Sequence, residues 1–257
     1  MFWKNLFSAK KPAGPAAYGL PDGELVYAVG DIHGRVDLLG KLLDLIKADM
    51  ASRTFERGTI VFLGDYIDRG FHSKEVIDRL IAMKAVAREP ATKVVCLAGN
   101  HEDMMLKFLE DPAEGQRWLG VGGLATLASY GVMLEEESDF EALHDASKAL
   151  EKALPAAHLE FLSGLQEDLR IGDVLFVHAG LRPEVPYNEQ TRRDKLGIRG
   201  EFTRSDFDFG VKIVHGHTGV RSAIVAPQRV AVDTGAFATG TLTAAVMERT
   251  DVALLYT

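Results

Sequence analysis

From Leu25 onward, short apolar runs alternate with longer stretches in which apolar residues recur every three or four positions. The runs LVYAVG, TIVFLG and KVVCLAG are rich in β-branched residues and end in glycine. This is the pattern of parallel strands buried on both faces. Between them the spacing predicts a helix over residues 36–50, with Leu38, Leu39, Leu42, Leu43, Leu45 and Ile46 at apolar positions. A second helix is predicted over residues 74–88, carried by Val76, Ile77, Leu80 and Ile81. The opening is therefore βαβαβ. Residues 102–165 read as mostly helical. The second half changes character: VLFVHA, VKIVHG, SAIVA, RVAVDTG, TLTAAVME and VALLY crowd together, several separated by turn-forming pairs such as PQ and TG. That half reads as sheet-rich. There is no internal repeat and no low-complexity segment.

Residues 1–23 stand outside this alternation and read as an N-terminal tail and linker, ahead of one domain over residues 24–257. Phe2, Trp3, Leu6 and Phe7 fall at helical spacing beside Lys4, Lys10 and Lys11. A peripheral membrane contact through residues 2–7 competes with a frayed tail before a Pro/Gly/Ala linker. Two turns bury little area, and the chain's overall charge opposes anionic lipid, so the tail is the expectation. That charge is −8 over 257 residues, from 37 acidic and 29 basic side chains. It argues against a nucleic-acid partner, which needs a basic surface. One cysteine, Cys96, excludes a disulfide framework and a Cys-rich zinc module and fits a reducing, cytoplasmic setting. No apolar run approaches the ~18–20 residues of a membrane span.

The candidate chemistry sits at the ends of the strand-like runs. LVYAV is followed by GDIHG (residues 30–34), TIVFL by GDYIDRG (64–70) and KVVCLA by GNHE (99–102). Open α/β sheets bind ligands at the carboxyl ends of their strands, so these clusters point into one crevice. The sheet-rich half adds HAG (178–180) and HGHT (215–218), again after strand-like runs. Asp31 and His33 are two apart, so on an extended segment they face one side. Asp65 has two oxygens with which to bridge two ions; Asn100 offers a neutral oxygen, and His178 and His217 offer nitrogens. Such an oxygen and nitrogen set suits Mn, Fe, Zn or Ni better than a soft thiolate ion would. Any one piece alone is weak evidence, since a single buried histidine is usually a hydrogen-bonded core residue. All five together would collect unpaired buried charge without a purpose unless they bind ions.

In this order, GDIHG, GDYIDRG, GNHE, HAG and HGHT resemble the calcineurin-like metallophosphoesterases, and more narrowly the bacterial phosphoprotein phosphatases acting on serine and threonine. The resemblance runs from about residue 26 to about residue 243. It implies an α/β fold: a sandwich of two mixed β-sheets flanked by helices (α/β/β/α), with the site at one edge. It also implies two divalent metal ions, with manganese expected first and iron, zinc, nickel or magnesium as alternatives. One ion would be held by Asp31, His33 and bridging Asp65, and the other by Asp65, Asn100, His178 and His217. His215, two residues earlier, would support them from outside. Many phosphodiesterases and nucleases of the superfamily carry a further histidine where this chain has Gly219, which leans toward the phosphatases. His101 would be the general acid, Asp68 would orient it, and Arg69 and Asn100 would bind the phosphate. KLGIRGEF makes Arg199 the match for the second phosphate arginine, although Gly197 replaces the family's usual aromatic residue. Arg192 and Arg193 are the fallback.

The implied reaction is direct in-line attack on phosphorus by hydroxide bridging the two ions, with His101 protonating the leaving alkoxide. A phosphoenzyme is not expected. Cys96 lies inside a strand with no arginine at the spacing a cysteine phosphatase needs, and reads as a small buried residue. Asp65 and Asp68 are three apart, so the Asp-x-Asp nucleophile pattern is missing. The Gly120, Gly122, Ala125 spacing lacks the preceding strand of a dinucleotide fingerprint, and reads as helix packing or cleft lining. Trp118 and Tyr130 read as packing residues, and His72, His144 and His158 as solvated. Glu135 to Glu137 read as an exposed acidic face. Asp68 before Arg69, and the glutamate of GNHE, favour a phosphorylated protein or peptide as substrate. The alternative is a bis(5'-nucleosyl)-tetraphosphatase acting on diadenosine tetraphosphate with nearly the same motifs. An inactive phosphoprotein-binding scaffold is a remote third reading, opposed by the intact ligand set.

Overall fold

A computed structural model of the chain describes residues 18–86, 92–135 and 137–257. The candidate membrane contact at residues 2–7 lies outside the described residues. Strands β1 (Glu24–Val29), β2 (Arg57–Phe62) and β3 (Thr92–Cys96) run parallel, connected by helices α1 (Val36–Ala51) and α2 (Ser73–Val86). Five further helices follow: α3 (Asn100–Glu110), α4 (Gly115–Leu119), α5 (Gly123–Ser129), α6 (Phe140–Ala153) and α7 (Ala156–Ser163). The chain then forms β4 (Asp168–Ile171), β5 (Val174–Val177), short helices α8 (Arg192–Gly197) and α9 (Gly200–Thr203), and β6 (Lys212–His215). It closes with β7 (Ile224–Val225), β8 (Arg229–Ala231), α10 (Ala236–Thr239), β9 (Thr243–Glu248) and β10 (Asp251–Tyr256).

Two mixed sheets result, ordered β10-β9-β1-β2-β3 and β4-β5-β6-β8-β7. The alternation along each strand decides what it buries. In β1, Val26 and Ala28 face the second sheet, where they meet Val174, Phe176, Val214 and Val230 in a core closed on both sides. Leu25, Tyr27 and Val29 face the opposite way, onto Leu38, Leu39, Leu42 and Ile46 of α1 and Val76, Ile77 and Leu80 of α2. This is why the strands read as unbroken apolar runs. The outer face of the second sheet is covered by a smaller cluster of Leu175, Val177 and Ile213 with Leu181, Ile198 and Phe202. The layers are thus helix, sheet, sheet and a thin helical cover, the α/β/β/α arrangement expected.

Several details depart from the sequence reading. β9 pairs with β1 and β10 with β9 in the first sheet, so the last two strands return across the fold. β4 adds a strand to the second sheet from a half-polar DLRI segment that carries little signal. Residues 18–23 pack onto the sheets: Leu20 is buried in the intersheet core, and the Tyr18 hydroxyl donates to Asp208 at 2.8 Å. His158 is buried, not solvated. α7 packs on α2, and this places the His158 ring between the Tyr130 hydroxyl (2.8 Å) and Asp78 (2.9 Å). Cys96 is buried, and burial pushes its thiol pKa up to about 12. No helix among the described residues is long and apolar enough to cross a membrane.

Candidate metal centre

Every parallel strand delivers its candidate residues to the same edge. Asp31 and His33 follow β1, Asp65 to Arg69 follow β2, and Asn100 and His101 open α3 after β3. His178 follows β5, His217 follows β6, and Asp233 follows β8. The loops are tied together by their backbones: Ile32 and His33 N–H donate to the Asp65 carbonyl at 3.0 and 2.9 Å, and Gly216 N–H to the His178 carbonyl at 2.8 Å. Seven described non-glycine residues have positive φ, and five of them are His33 (46°), Asp65 (52°), Asp68 (73°), Arg69 (67°) and His217 (61°). Left-handed backbone costs such residues about 1–2 kcal/mol each, so conformational strain is concentrated in these loops. A methyl group at Gly99 would overlap the Asp65 carboxylate and backbone nitrogen, and one at Gly216 would overlap Asp31 Oδ1. Only glycine permits that approach.

Asp65 lies between two histidine groups. Its Oδ2 is 3.6 Å from His33 Nε2 and 3.8 Å from His101 Nε2, whereas Oδ1 is 3.4 Å from His178 Nε2. The ligand atoms of His33, Asp65 and His101 lie within 4.8 Å of one another, as do those of Asp65, His178 and His217. Asn100 Oδ1 is 3.1 Å from His178 Nε2. The Asp31 carboxylate is held against the His217 backbone N–H at 3.1 and 3.2 Å. The group around His33 thus contains His101, while Asp31 is held against the backbone of His217 and lies in neither group.

The donor set fits divalent cations. His33 and His178 each turn Nδ1 to a backbone carbonyl, of Ile67 and Leu63 respectively, both at 2.8 Å. That fixes Nδ1–H and aims Nε2 inward, where the neutral ring would offer its lone pair to a cation. His217 Nε2 is buried without a partner among the described residues. Burial holds His33 and His217 neutral, with pKa values lowered to about 3, and ligation needs the neutral ring. Burial, then the charges of Asp233 and Asp65, hold the Asp31 pKa well above the usual carboxylate range. Burial opposes the charge on Asp65, but His178 and His101 outweigh it and keep that carboxyl ionised. Burial likewise opposes the His178 imidazolium, yet the carboxylates around it, Asp65 foremost, raise its pKa to about 10. Crowded carboxylates and an orphaned imidazole nitrogen are both relieved by cations.

His101 is held from behind. Its Nδ1 donates to Asp68 Oδ2 at 2.6 Å. The fully buried Asp68 also accepts from Trp118 Nε1–H (2.8 Å) and the Thr126 hydroxyl (2.6 Å), and its backbone N–H donates to Ser73 Oγ and Thr126 Oγ1. Burial works against the His101 imidazolium, but Asp65 and Asp68 prevail and its pKa lies above the ordinary histidine value. Arg69 donates to His33 Nε2 (2.9 Å), its other terminal nitrogen lies 3.2 Å from His101 Nε2, and its guanidinium lies 4.6 Å from the ring centre of the half-exposed Phe237. The absent side chain of Gly122 makes room for Arg69, whose N–H donates to the Gly122 carbonyl. Arg199 donates to the His217 carbonyl at 3.3 Å and lines the same cleft as Asn100. Of the fallback pair, Arg192 is bound to Asp103 and Glu167. His215 turns Nδ1 to the Gly216 carbonyl and packs edge-on to Phe202, 5.1 Å between ring centres, outside both groups.

The sequence reading took Trp118 for a packing residue and Glu102 only as a hint of substrate, and gave no role to Thr126, Ser73 or Asp233. Glu102 is buried and accepts from the backbone N–H groups of Asp65 (2.9 Å), Tyr66 (2.7 Å), Ile67 (3.4 Å) and Gly99 (2.9 Å). Burial and the Asp65 charge push its pKa up to about 7, while the donors from the β2 loop favour its charge. It pins that loop in its left-handed conformation. Glu102→Gln presents an NH2 to N–H donors, and it is expected to cost about 1–3 kcal/mol of stability. Metal affinity should fall by about 10–100-fold. Thermal unfolding and calorimetric metal titration check this, and a variant matching wild type in both would remove Glu102 from this role.

Residues 25–233 match the family described as calcineurin-like phosphoesterases. A bis(5'-nucleosyl)-tetraphosphatase, qualified as asymmetrical, from Halalkalibacterium halodurans is 28% identical over 233 residues, 84% of this chain and 87% of the relative. One from Anoxybacillus flavithermus is 26% identical over the same shares. Among solved structures, a cold-active protein-tyrosine phosphatase from a psychrophilic Shewanella superposes with a TM-score of 0.60 at 21% identity, over 93% of this chain and 81% of that one. At such identity the likeness shows the fold. With a match over most of its length, and the strand-end site to go with it, the chain belongs to the calcineurin-like phosphoesterase family.

Proposed function

We propose that this chain hydrolyses the phosphoanhydride chain of a dinucleoside tetraphosphate, at two divalent cations held by Asp31, His33, Asp65, Asn100, His178 and His217. What carries the reading is the extent of the likeness to the named tetraphosphatases: it runs through 84% of this chain and 87% of theirs. Residues 24–257 act as one catalytic unit in it. When bound, the cations supply Lewis acidity and lower the pKa of water toward neutrality, manganese being the first metal to try. The chain's own groups do the rest. Arg69 and Arg199, on opposite sides of the histidines, bind the equatorial phosphoryl oxygens and neutralise charge developing on them. Asn100 orients the phosphoryl group beside His178. His101, whose protonated form is favoured by Asp65 and Asp68, holds a proton on the side of the leaving oxygen.

That proton also supports a second reading, a serine/threonine phosphatase. A departing phosphate is a weak base and needs little protonation, whereas an alkoxide needs it fully. The buried Asp68–His101 pair suits the second case, and a segment of 77 residues is 39% identical to a serine/threonine phosphatase homologue from Schizosaccharomyces pombe. The deciding measurement is kcat/KM with added manganese for diadenosine tetraphosphate and for a phosphothreonine peptide, with the products identified. The tetraphosphatase reading predicts a preference of at least about a hundredfold for the dinucleotide, cleaved asymmetrically to a nucleoside triphosphate and a monophosphate. A comparable preference for the peptide would overturn it in favour of the second.

A further inference from the structure

A groove of about 720 Å³ runs away from Asn100 and Arg199 between α3, α4 and α8. Its volume lies within the ~300–1,000 Å³ typical of small-ligand sites. The chain carries a net charge of −8, yet six basic side chains line this groove against three carboxylates. Those carboxylates are already engaged: Asp103 by Lys107 and Arg192, and Asp194 and Glu201 by Arg182. Three arginines remain with no carboxylate within 4 Å among the described residues: Arg117 on α4, Arg193 on α8, and Arg199 at the mouth. Arg117 and Arg193 are exposed to the groove and have no role in holding the fold or the metal ligands. A substrate with a single phosphoryl group has no second phosphate to present to them. Guanidinium forks without partners match phosphate oxygens two at a time.

The geometry points to Arg117 and Arg193 as the residues that bind the phosphates beyond the one being attacked, making the groove a subsite for a polyphosphate chain. This rests on the proposed tetraphosphatase reading and names the part of the site that would recognise its substrate. Asn100 and Arg199 hold the first phosphoryl group, and the chain continues outward over α4 and α8.

The test is calorimetric binding of inorganic tripolyphosphate and of orthophosphate to the manganese-loaded protein, with free manganese clamped because tripolyphosphate chelates it. Wild type is expected to bind tripolyphosphate at least about tenfold more tightly than orthophosphate. The Arg117→Ala/Arg193→Ala double variant should lose most of that ratio, and Arg117→Lys/Arg193→Lys should recover part of it. A wild type with no preference overturns the inference. So does a double variant that keeps the ratio, or one that loses affinity for both anions equally. If an acidic phosphothreonine peptide loses at least about tenfold in the variant while tripolyphosphate does not, the groove is a peptide cleft and the inference falls. Failure to cleave diadenosine tetraphosphate would overturn the function proposed above, whereas the groove stands or falls on the binding ratio alone.

Discussion

Asp65→Asn is expected to leave a folded protein that has lost at least about a hundredfold in kcat/KM and holds fewer than two cations per chain. Asp65 is the only described residue in both candidate ligand groups. One oxygen faces His33 and His101, the other His178, at 3.4–3.8 Å, a span that ions inserted between them would close. Asparagine is isosteric but neutral, and its NH2 would point a donor at one of these groups. The amide also removes the negative charge that holds two cations close together. Cations stabilise developing phosphoryl charge by several kcal/mol, and about 2.7 kcal/mol corresponds to a hundredfold in rate. The backbone contacts of residue 65 survive, because Glu102 bonds its N–H and not its side chain. Metal content by mass spectrometry and turnover with added manganese check the result. An Asp65→Asn protein with two cations and near wild-type turnover would sink the bridging role.

What the sequence reveals of this site, and what it hides, follows from where each interaction is made. The ligand-type residues are legible because each ends an apolar strand, next to a glycine. A buried strand leaves no other reason to collect Asp, His and Asn at its carboxyl end. The support of that set is not legible, because it comes from elsewhere in the chain. Trp118 and Thr126 reach Asp68 across 50 and 58 residues of sequence, and both sit in a helical stretch whose pattern is ordinary packing. Glu102 lies inside a recognisable motif, but its role is to accept backbone N–H groups of residues 65–67, and backbone donors leave no mark on a sequence. Asp233 ends β8 as the other acids end their strands, so the rule that found Asp31 and Asp65 applies to it too. The strands β9 and β10 are visible as strands, and their pairing with each other is local, but the pairing of β9 with β1 is a contact across more than 200 residues. The substrate is least legible of all. The same motifs serve anhydride and ester cleavage, and what separates them lies in the groove beyond the centre.

His101→Ala is expected to divide substrates by their leaving groups. For a phosphothreonine peptide, whose alkoxide is a strong base, the loss in kcat should be about 10²–10⁴-fold, the usual contribution of a positioned acid. For p-nitrophenyl phosphate the loss should stay below about tenfold, because nitrophenolate leaves without a proton. Diadenosine tetraphosphate should resemble the nitrophenyl ester, since its leaving group is itself a phosphate. The pH dependence has a definite sign. Asp65 and Asp68, against burial, raise the pKa of His101 above the ordinary histidine value, so the acid form persists to higher pH than in a free imidazole and is lost as pH rises through that raised value. Wild-type turnover of the peptide should therefore fall on the alkaline side, and His101→Ala should abolish that limb. Asp68→Asn keeps the ring but removes a charge that sustains it, and should move the limb to lower pH. Metal content separates this role from ligation, because His101 Nε2 lies in one of the two candidate ligand groups. As an acid, His101 can be removed with both cations retained. A variant that loses a cation, or loses equally on all three substrates, would make His101 a ligand, and the Asp68–Trp118–Thr126 network behind it would then be orienting a metal-bound ring and not a proton donor.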